Sequence, residues 1–259
     1  MEQLKVIKIG GHIINDQQAL DDFLTTFTAI KGPKVLIHGG GKVATELAQK
    51  MNLEVKMIDG RRITDSETLD IATMVYAGKV NKTIVAKLQA KQCNAIGFTG
   101  ADGNTILSKK RDVEEVDFGY VGDVVKVDTE IVEVLLSRKR TPVFCAITHD
   151  GHGQLLNTNA DTLAAELAIE LAKNYETELY YCFEKKGVLQ NITDEDSVIK
   201  NINLENYQDL KSQGIIADGM LPKMQNCFHA IQNGVQKVCV GLPDMLQNSN
   251  SLFTTISNL

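Results

Sequence analysis

The sequence predicts an α/β protein built on a mostly parallel sheet covered by helices. Strand-like apolar runs alternate with helix-like amphipathic runs along the whole chain. Three strand-like runs, moreover, end directly in glycine or small-residue turns: Gly10-Gly11, Gly39-Gly40-Gly41 and Gly187. Size agrees: 259 residues, 43% hydrophobic and 23% charged, match an ordinary soluble globular chain. By area scaling such a chain buries roughly 73% of its surface, enough for a core without disulfides or metals.

Each element has its own signal. Leu4-Lys5-Val6-Ile7-Lys8-Ile9 reads as a first strand, stopped by Gly10-Gly11. Leu20, Phe23, Leu24 and Phe27 follow at i, i+3, i+4, i+7, one face of a helix. Lys34-Val35-Leu36-Ile37-His38 is a second strand, and a helix is expected over residues 43–51. Thr64-Asp65-Ser66-Glu67 reads as a capping box with Thr64 at the N-cap. It opens a helical region to about residue 92, with an interruption expected at Gly78. Residues 94–98 form a short strand, 101–104 a turn, and 105–127 hairpins at the edge of the sheet. Strands are expected over 142–147 and 178–183, with a helix between them marked by Leu163, Ala164, Leu167, Ala168 and Leu171. A helix over 221–232, with Pro222 in its first turn, precedes final strands at 237–241 and 251–256.

Composition excludes several classes. Lys plus Arg number 27 and Asp plus Glu 33, a net charge of −6 without a basic tract, which argues against nucleic acid as a partner. No apolar run approaches the roughly 18 residues that span a bilayer, so no membrane partner is expected. The N-terminus enters a strand pattern at once, with no h-region or small-residue cleavage site, so secretion is not expected. Cys93, Cys145, Cys182, Cys227 and Cys239 contain no C-x-x-C pair and read as buried thiols in a reducing cytoplasm.

Glycine after a strand lets backbone amides approach an anion, and the following helix adds its positive end; such turns also need glycine for backbone reasons alone. Lys8 sits in an apolar strand, where an ammonium needs an anionic partner or a route to water. Lys5 and Lys8 have opposite parity and should face opposite sides of the sheet. Lys223 follows Asp218-Gly219-Met220 at a helix start. Asn157-Thr158-Asn159-Ala160-Asp161 packs short polar groups before an apolar helix, where Asn159 can be an N-cap and Asp161 a first-turn acid. Arg61-Arg62 offers guanidinium forks for a carboxylate. His149-Asp150-Gly151-His152 lacks a third ligand, so no metal site is expected. Walker A and G-x-S-x-G sequences are absent. Gly39-Gly40-Gly41-Lys42-Val43-Ala44 does satisfy a dinucleotide fingerprint, with Asp59 20 residues beyond Gly39 behind a possible strand at 53–58, and so keeps an NAD(P)-dependent dehydrogenase open as a rival.

Taken in order, five stretches resemble the amino-acid kinase family: Val6-Ile7-Lys8-Ile9-Gly10-Gly11, His38-Gly39-Gly40-Gly41, Gly60-Arg61-Arg62-Ile63-Thr64-Asp65, Leu156-Asn157-Thr158-Asn159-Ala160-Asp161, and Gly214-Ile215-Ile216-Ala217-Asp218-Gly219-Met220 with Lys223. The resemblance covers essentially the whole chain. It implies a three-layer αβα sandwich forming a single domain over 1–259, with an acyl-amino-acid lobe over about 1–173 and a nucleotide lobe over about 174–259. It also implies ATP-dependent phosphorylation of the γ-carboxylate of N-acetyl-L-glutamate, in arginine biosynthesis.

By the same resemblance, Lys8 and Lys223 stabilise the transferring phosphoryl group and Asp161 orients them. Gly40, Gly41, Arg62 and Asn157 hold the acylated amino acid, with Asn159 nearby. The nucleotide, with Mg2+ carried in on ATP, is expected against Gly10, Gly11, Glu184, Gly187, Val188, Leu189, Asp218, Gly219 and Met220. A homodimer is implied. Arginine inhibition is not expected, because inhibited members carry an extra N-terminal helix. Glu184-Lys185-Lys186-Gly187 stands where the family more often has Asp-Val-Ser-Gly. Two further cations, Lys42 and Arg61, lie near the expected substrate residues and raise N-succinyl-L-glutamate as an alternative acceptor. Aspartate, carbamate or uridylate kinases, and a non-catalytic sensor on the same fold, are other readings; the Arg62 and Asn157 stretches favour an acyl-amino acid.

Overall fold

The computed structural model describes residues 1–58, 61–217, 219–248 and 250–258, with Arg61 described by its backbone. The chain forms two compact units, a first made of residues 1–34 and 164–259 and a second of residues 35–163. In chain order the elements begin with β1 (Gln3–Ile9), α1 (Gly11–Asn15), α2 (Gln17–Ala29), β2 (Lys34–His38), α3 (Gly41–Lys50), β3 (Met57–Ile58), β4 (Arg61–Arg62) and α4 (Ser66–Thr73). A π-helical stretch (Met74–Val80) leads into α5 (Asn81–Ala90), β5 (Ala95–Phe98), β6 (Ile106–Lys110), β7 (Val121–Val127), α6 (Glu130–Ser137), β8 (Thr141–Cys145), β9 (Ile147–His149) and β10 (Leu155–Thr158). The chain closes with α7 (Ala160–Leu171), β11 (Glu176–Cys182), β12 (Asn201–Ile202), α8 (Leu204–Ser212), α9 (Met220–Gln232), β13 (Lys237–Gly241) and β14 (Thr254–Ile256).

In the first unit β11 is flanked by β1 and β13, both parallel to it; β14 runs antiparallel to β13 and parallel to the short edge strand β12. Leu4, Val6, Ile7 and Ile9 of β1 are buried without remainder, the near-continuous apolar run of a strand covered on both faces. The helical face of Leu20, Phe23, Leu24 and Phe27 is buried as its spacing requires. Asp16 caps α2 by accepting from the Ala19 amide at 2.8 Å. At the other end the buried Lys34 ammonium donates to the carbonyls of Phe27, Thr28 and Ile30 at 2.9, 3.1 and 2.7 Å. A cation there satisfies the orphan carbonyls and the negative helix end together.

In the second unit β8 pairs with β2 on one side and β5 on the other, all parallel. Phe144 of β8 stacks on Phe98 of β5 with ring centroids 5.1 Å apart. Strands β10, β7, β6 and β9 close into a small barrel, and β3 and β4 form a two-residue ribbon.

Several elements depart from the sequence reading. Residues 105–127 supply β6 and β7 to the barrel rather than hairpins at the sheet edge; a register irregularity between Leu107 and Ser108 adds the twist that closure demands. The cap of α4 is Asp65, which accepts from the Thr68 amide at 2.8 Å, and not Thr64, whose hydroxyl is buried and bonded elsewhere. Around Gly78 the α-helix is interrupted without the chain leaving helical structure: the backbone widens into the π-helical stretch and runs on into α5. Residues 53–58 yield only β3, and the last strand is shortened to β14. Strand β12 and helix α8 lie in a stretch where the pattern gave no signal.

Candidate active site

The second unit gathers four of the expected substrate residues into one bonded group. The turn between β2 and α3 carries Gly39, Gly40 and Gly41. A Cβ on Gly40 would stand 2.7 Å from Cδ1 of Tyr76, so only glycine fits against that ring. Arg62 Nη2 donates to the Gly41 carbonyl at 2.9 Å and to the Thr45 hydroxyl at 2.7 Å. Two residues on, the Thr64 hydroxyl accepts from Asn157 Nδ2 at 3.0 Å, while the Asn157 amide donates to the Tyr120 carbonyl. A single extended segment, 62–64, thus ties the glycine turn to Asn157. The backbone approach, a forked cation and an amide suit a short, polar, anionic ligand. Thr45 and Tyr76 escape sequence reasoning, and Thr64 is read there only as a helix cap, because their partners lie 17 to 93 residues away in the chain or are packing contacts.

Asn159 is the N-cap of α7: its Oδ1 accepts from the Asp161 and Thr162 amides at 2.8 and 3.1 Å. Asp161 occupies the first turn of that helix, where the positive helix end favours a carboxylate.

Ahead of the glycine turn, the His38 ring is fully buried. Its Nδ1 lies 2.7 Å from the Gly39 carbonyl and its Nε2 3.0 Å from Asn81 Nδ2. These contacts fit a neutral ring that donates from Nδ1 and accepts at Nε2. Burial lowers its pKa to about 4; the Gly39 bond opposes the shift and the Lys82 charge adds to it.

The first unit carries the lysines. In the β1–β11 register Lys8 is the partner of Tyr181 and Lys5 the partner of Glu178, so the two lysines do lie on opposite faces of the sheet. Lys223, in the first turn of α9, holds its Nζ 5.0 Å from the centroid of the Tyr181 ring and 6.0 Å from that of Phe183. The buried Tyr181 is thus the strand partner of Lys8 and the ring approached by Lys223, 215 positions further along the chain. The Lys8 charge is also felt at Cys182, whose thiol pKa burial pushes up and Lys8 pulls back.

The other expected nucleotide residues divide into two kinds. At Gly10 and Gly11 an added Cβ would find only ordinary contacts, 3.5 Å or more away, so packing within the unit does not demand glycine there. At Gly187 a Cβ would stand 2.7 Å from Thr254 Oγ1 and from Val198 Cγ1, and packing alone demands it. The Val188 amide donates to Thr254 Oγ1 at 2.8 Å; Glu184 is exposed and Leu189 half-buried. Lys185 and Lys186 pair with Glu195 and Asp196. Gly219 and Met220 lie at the start of α9; Asp218, with Asp59, Gly60 and the Arg61 side chain, is outside the described residues. Lys42 is exposed.

His149-Asp150-Gly151-His152 forms a turn whose polar groups serve the backbone. Asp150 Oδ1 accepts from the His152 and Gln154 amides, and His149 Nδ1 from that of Gly151. Among the described residues no cluster of three His, Cys, Asp or Glu side chains could hold a metal, and no helix is long and apolar enough to cross a membrane. The dinucleotide fingerprint lacks its architecture: α3 leads to the two-residue β3 in a separate ribbon, not to a parallel neighbour of β2.

Comparison with known proteins bears on the family. The family model described as "Amino acid kinase family" matches residues 3–241. An acetylglutamate kinase of Cytophaga hutchinsonii is 54% identical over 241 residues, covering 93% of this chain and 91% of that protein. One of Phocaeicola vulgatus is 51% identical over 249 residues, covering 96% and 97%. The crystal structure of smu.665 from Streptococcus mutans superposes with a TM-score of 0.81 at 26% identity, covering 99% of each chain. A matching family model over nearly the whole length, and relatives above half identity, rule out the dehydrogenase reading: the chain belongs to the amino-acid kinase family, with its mostly parallel αβα fold, and is a phosphotransferase.

Proposed function

We propose that this chain transfers the γ-phosphoryl group of Mg·ATP to the γ-carboxylate of N-acetyl-L-glutamate, giving an acyl phosphate and ADP, in arginine biosynthesis. The single observation that best supports the reading is that Lys8 is the strand partner of Tyr181, the tyrosine whose ring Lys223 approaches. Relatives named acetylglutamate kinase, at 54% and 51% identity, support the choice of acceptor.

The chemistry needs charge more than it needs a base. A carboxyl group with a pKa of about 4.3 is ionised at neutral pH and attacks without proton removal. One of its oxygens forms a bond to the γ-phosphorus as the bond to the β,γ-bridging oxygen breaks, and that electron pair leaves on ADP. Negative charge on the phosphoryl oxygens peaks in the transition state, so fixed cations there lower the barrier. Lys8 and Lys223 supply them in this reading, and Asp161 is the third catalytic residue. Gly40, Gly41, Arg62 and Asn157 hold the acylated amino acid, with Asn159 acting through the helix that it caps. The nucleotide lies against Gly10, Gly11, Glu184, Gly187, Val188, Leu189 and 218–220. We place the enzyme in the cytoplasm as a homodimer.

The test is ADP release from Mg·ATP by the purified chain with N-acetyl-L-glutamate as acceptor. Release that saturates with the acceptor is expected. Its absence, or a higher kcat/KM with N-succinyl-L-glutamate, would overturn the acetyl assignment.

A further inference from the structure

Tyr76 belongs to no stretch that marks the family resemblance, yet its ring and hydroxyl meet the glycine turn at two successive residues. The ring lies against Gly40, with Cδ1 2.7 Å and Cε1 3.0 Å from where a Cβ would stand. One residue on, the corresponding position of Gly41 has Tyr76 Oη at 3.8 Å and Arg62 Nη2 at 3.9 Å, so phenol and guanidinium flank the same peptide. Tyr76 is buried; burial raises its phenol pKa and the nearby Arg62 charge opposes that shift.

The backbone that delivers Tyr76 is unusual. It sits in the π-helical stretch Met74–Val80, and such widened turns concentrate at functional sites. The residue after that stretch, Asn81, reaches the same turn from another direction: its Nδ2 binds His38 Nε2 at 3.0 Å, and His38 holds the Gly39 carbonyl. Three consecutive glycines, which have no side chains to anchor them, are therefore fixed from outside at Gly39 by His38, at Gly40 by the Tyr76 ring, and at Gly41 by Arg62.

We propose that Tyr76 is a positioning residue for the acyl-amino-acid site: its ring sets the path of the Gly40–Gly41 backbone, and its hydroxyl holds the Arg62 guanidinium in place for the substrate. The proposal rests on the functional reading above for the identity of the ligand, but not for the contact itself. A positioning role at the acceptor site separates the two substrates kinetically. Disturbing it weakens the N-acylglutamate and leaves ATP alone, whereas general damage to the fold would affect both.

The experiment compares the wild type with Tyr76→Phe and Tyr76→Leu by two readouts. In steady-state ADP release, Tyr76→Phe should raise KM for N-acetyl-L-glutamate by about five-fold or more, the effect of one lost hydrogen bond, with KM for ATP within about two-fold. Tyr76→Leu should raise it further; if that variant fails to fold, Tyr76→Phe, which keeps the ring, carries the test. The second readout uses no substrate: the Arg62 Nε–H signal in NMR, assigned by its loss in Arg62→Lys, should move in Tyr76→Phe. An unmoved signal, or equal rises in both KM values, overturns the inference. A wild type that releases no ADP overturns the functional reading instead, and the Arg62 signal still decides the role of Tyr76.

Discussion

Lys5 and Lys8 are three residues apart in one strand and end in different chemistry. Strand parity sends Lys5 to Glu178 and Lys8 to the face of Tyr181 and Lys223. That separation is legible from the sequence, because a period of two is a property of any strand. The partners are not legible, because they come from β11 and α9, more than 170 positions away. His38 makes the same point with a titratable group. Its neutral ring is fixed by Gly39 and Asn81, and protonating Nε2 would push a proton against the Asn81 amide. A pKa depressed from 6.5 to about 4 makes the sign definite. Stability from the neutral ring is complete above pH 6.5 and drains away as pH falls toward 4, by on the order of 3 kcal/mol. Urea unfolding of the wild type against His38→Gln checks this. The variant should be the less stable at pH 7.5 and should lose less between pH 6.5 and 4.5; parallel curves would contradict it.

At the scale of elements, one carboxylate joins three strands. Glu178 of β11 accepts from Lys5 of β1 at 3.1 Å, from Lys237 of β13 at 2.8 Å and from Tyr180 at 2.6 Å. Burial pushes its pKa upward, but the bonds from Lys237, Tyr180 and Lys5 prevail and hold the carboxyl below its usual range. Its contribution is therefore present above the unfolded pKa and is lost as pH falls through the folded one. Glu178→Gln leaves two ammonium groups beside a neutral amide and should cost about 3 kcal/mol in urea unfolding at pH 7. A loss below about 0.5 kcal/mol would mean that the cluster is incidental. The helix α2 is the counterpart in legibility: its buried face is local and periodic, so the sequence shows it in full. The barrel, the π-helical stretch and β12 depend on pairing or packing between distant segments, and no local period announces them.

For the whole molecule, fold class and family were readable because glycine turns fall directly after apolar strands, in an order that a single motif would not fix. The site was readable only as a set of residue types. What binds Arg62 to the glycine turn, Asn157 to Thr64 and Lys223 to Tyr181 emerges only when the chain is folded. The account stands on the two lysines of the first unit as the cations that carry phosphoryl transfer. The most direct test is kcat for ADP release by Lys8→Ala and Lys223→Ala at saturating Mg·ATP and N-acetyl-L-glutamate, with circular dichroism to verify folding. Each folded variant should lose roughly 10²–10³-fold in kcat; turnover near that of the wild type in either would contradict the assignment.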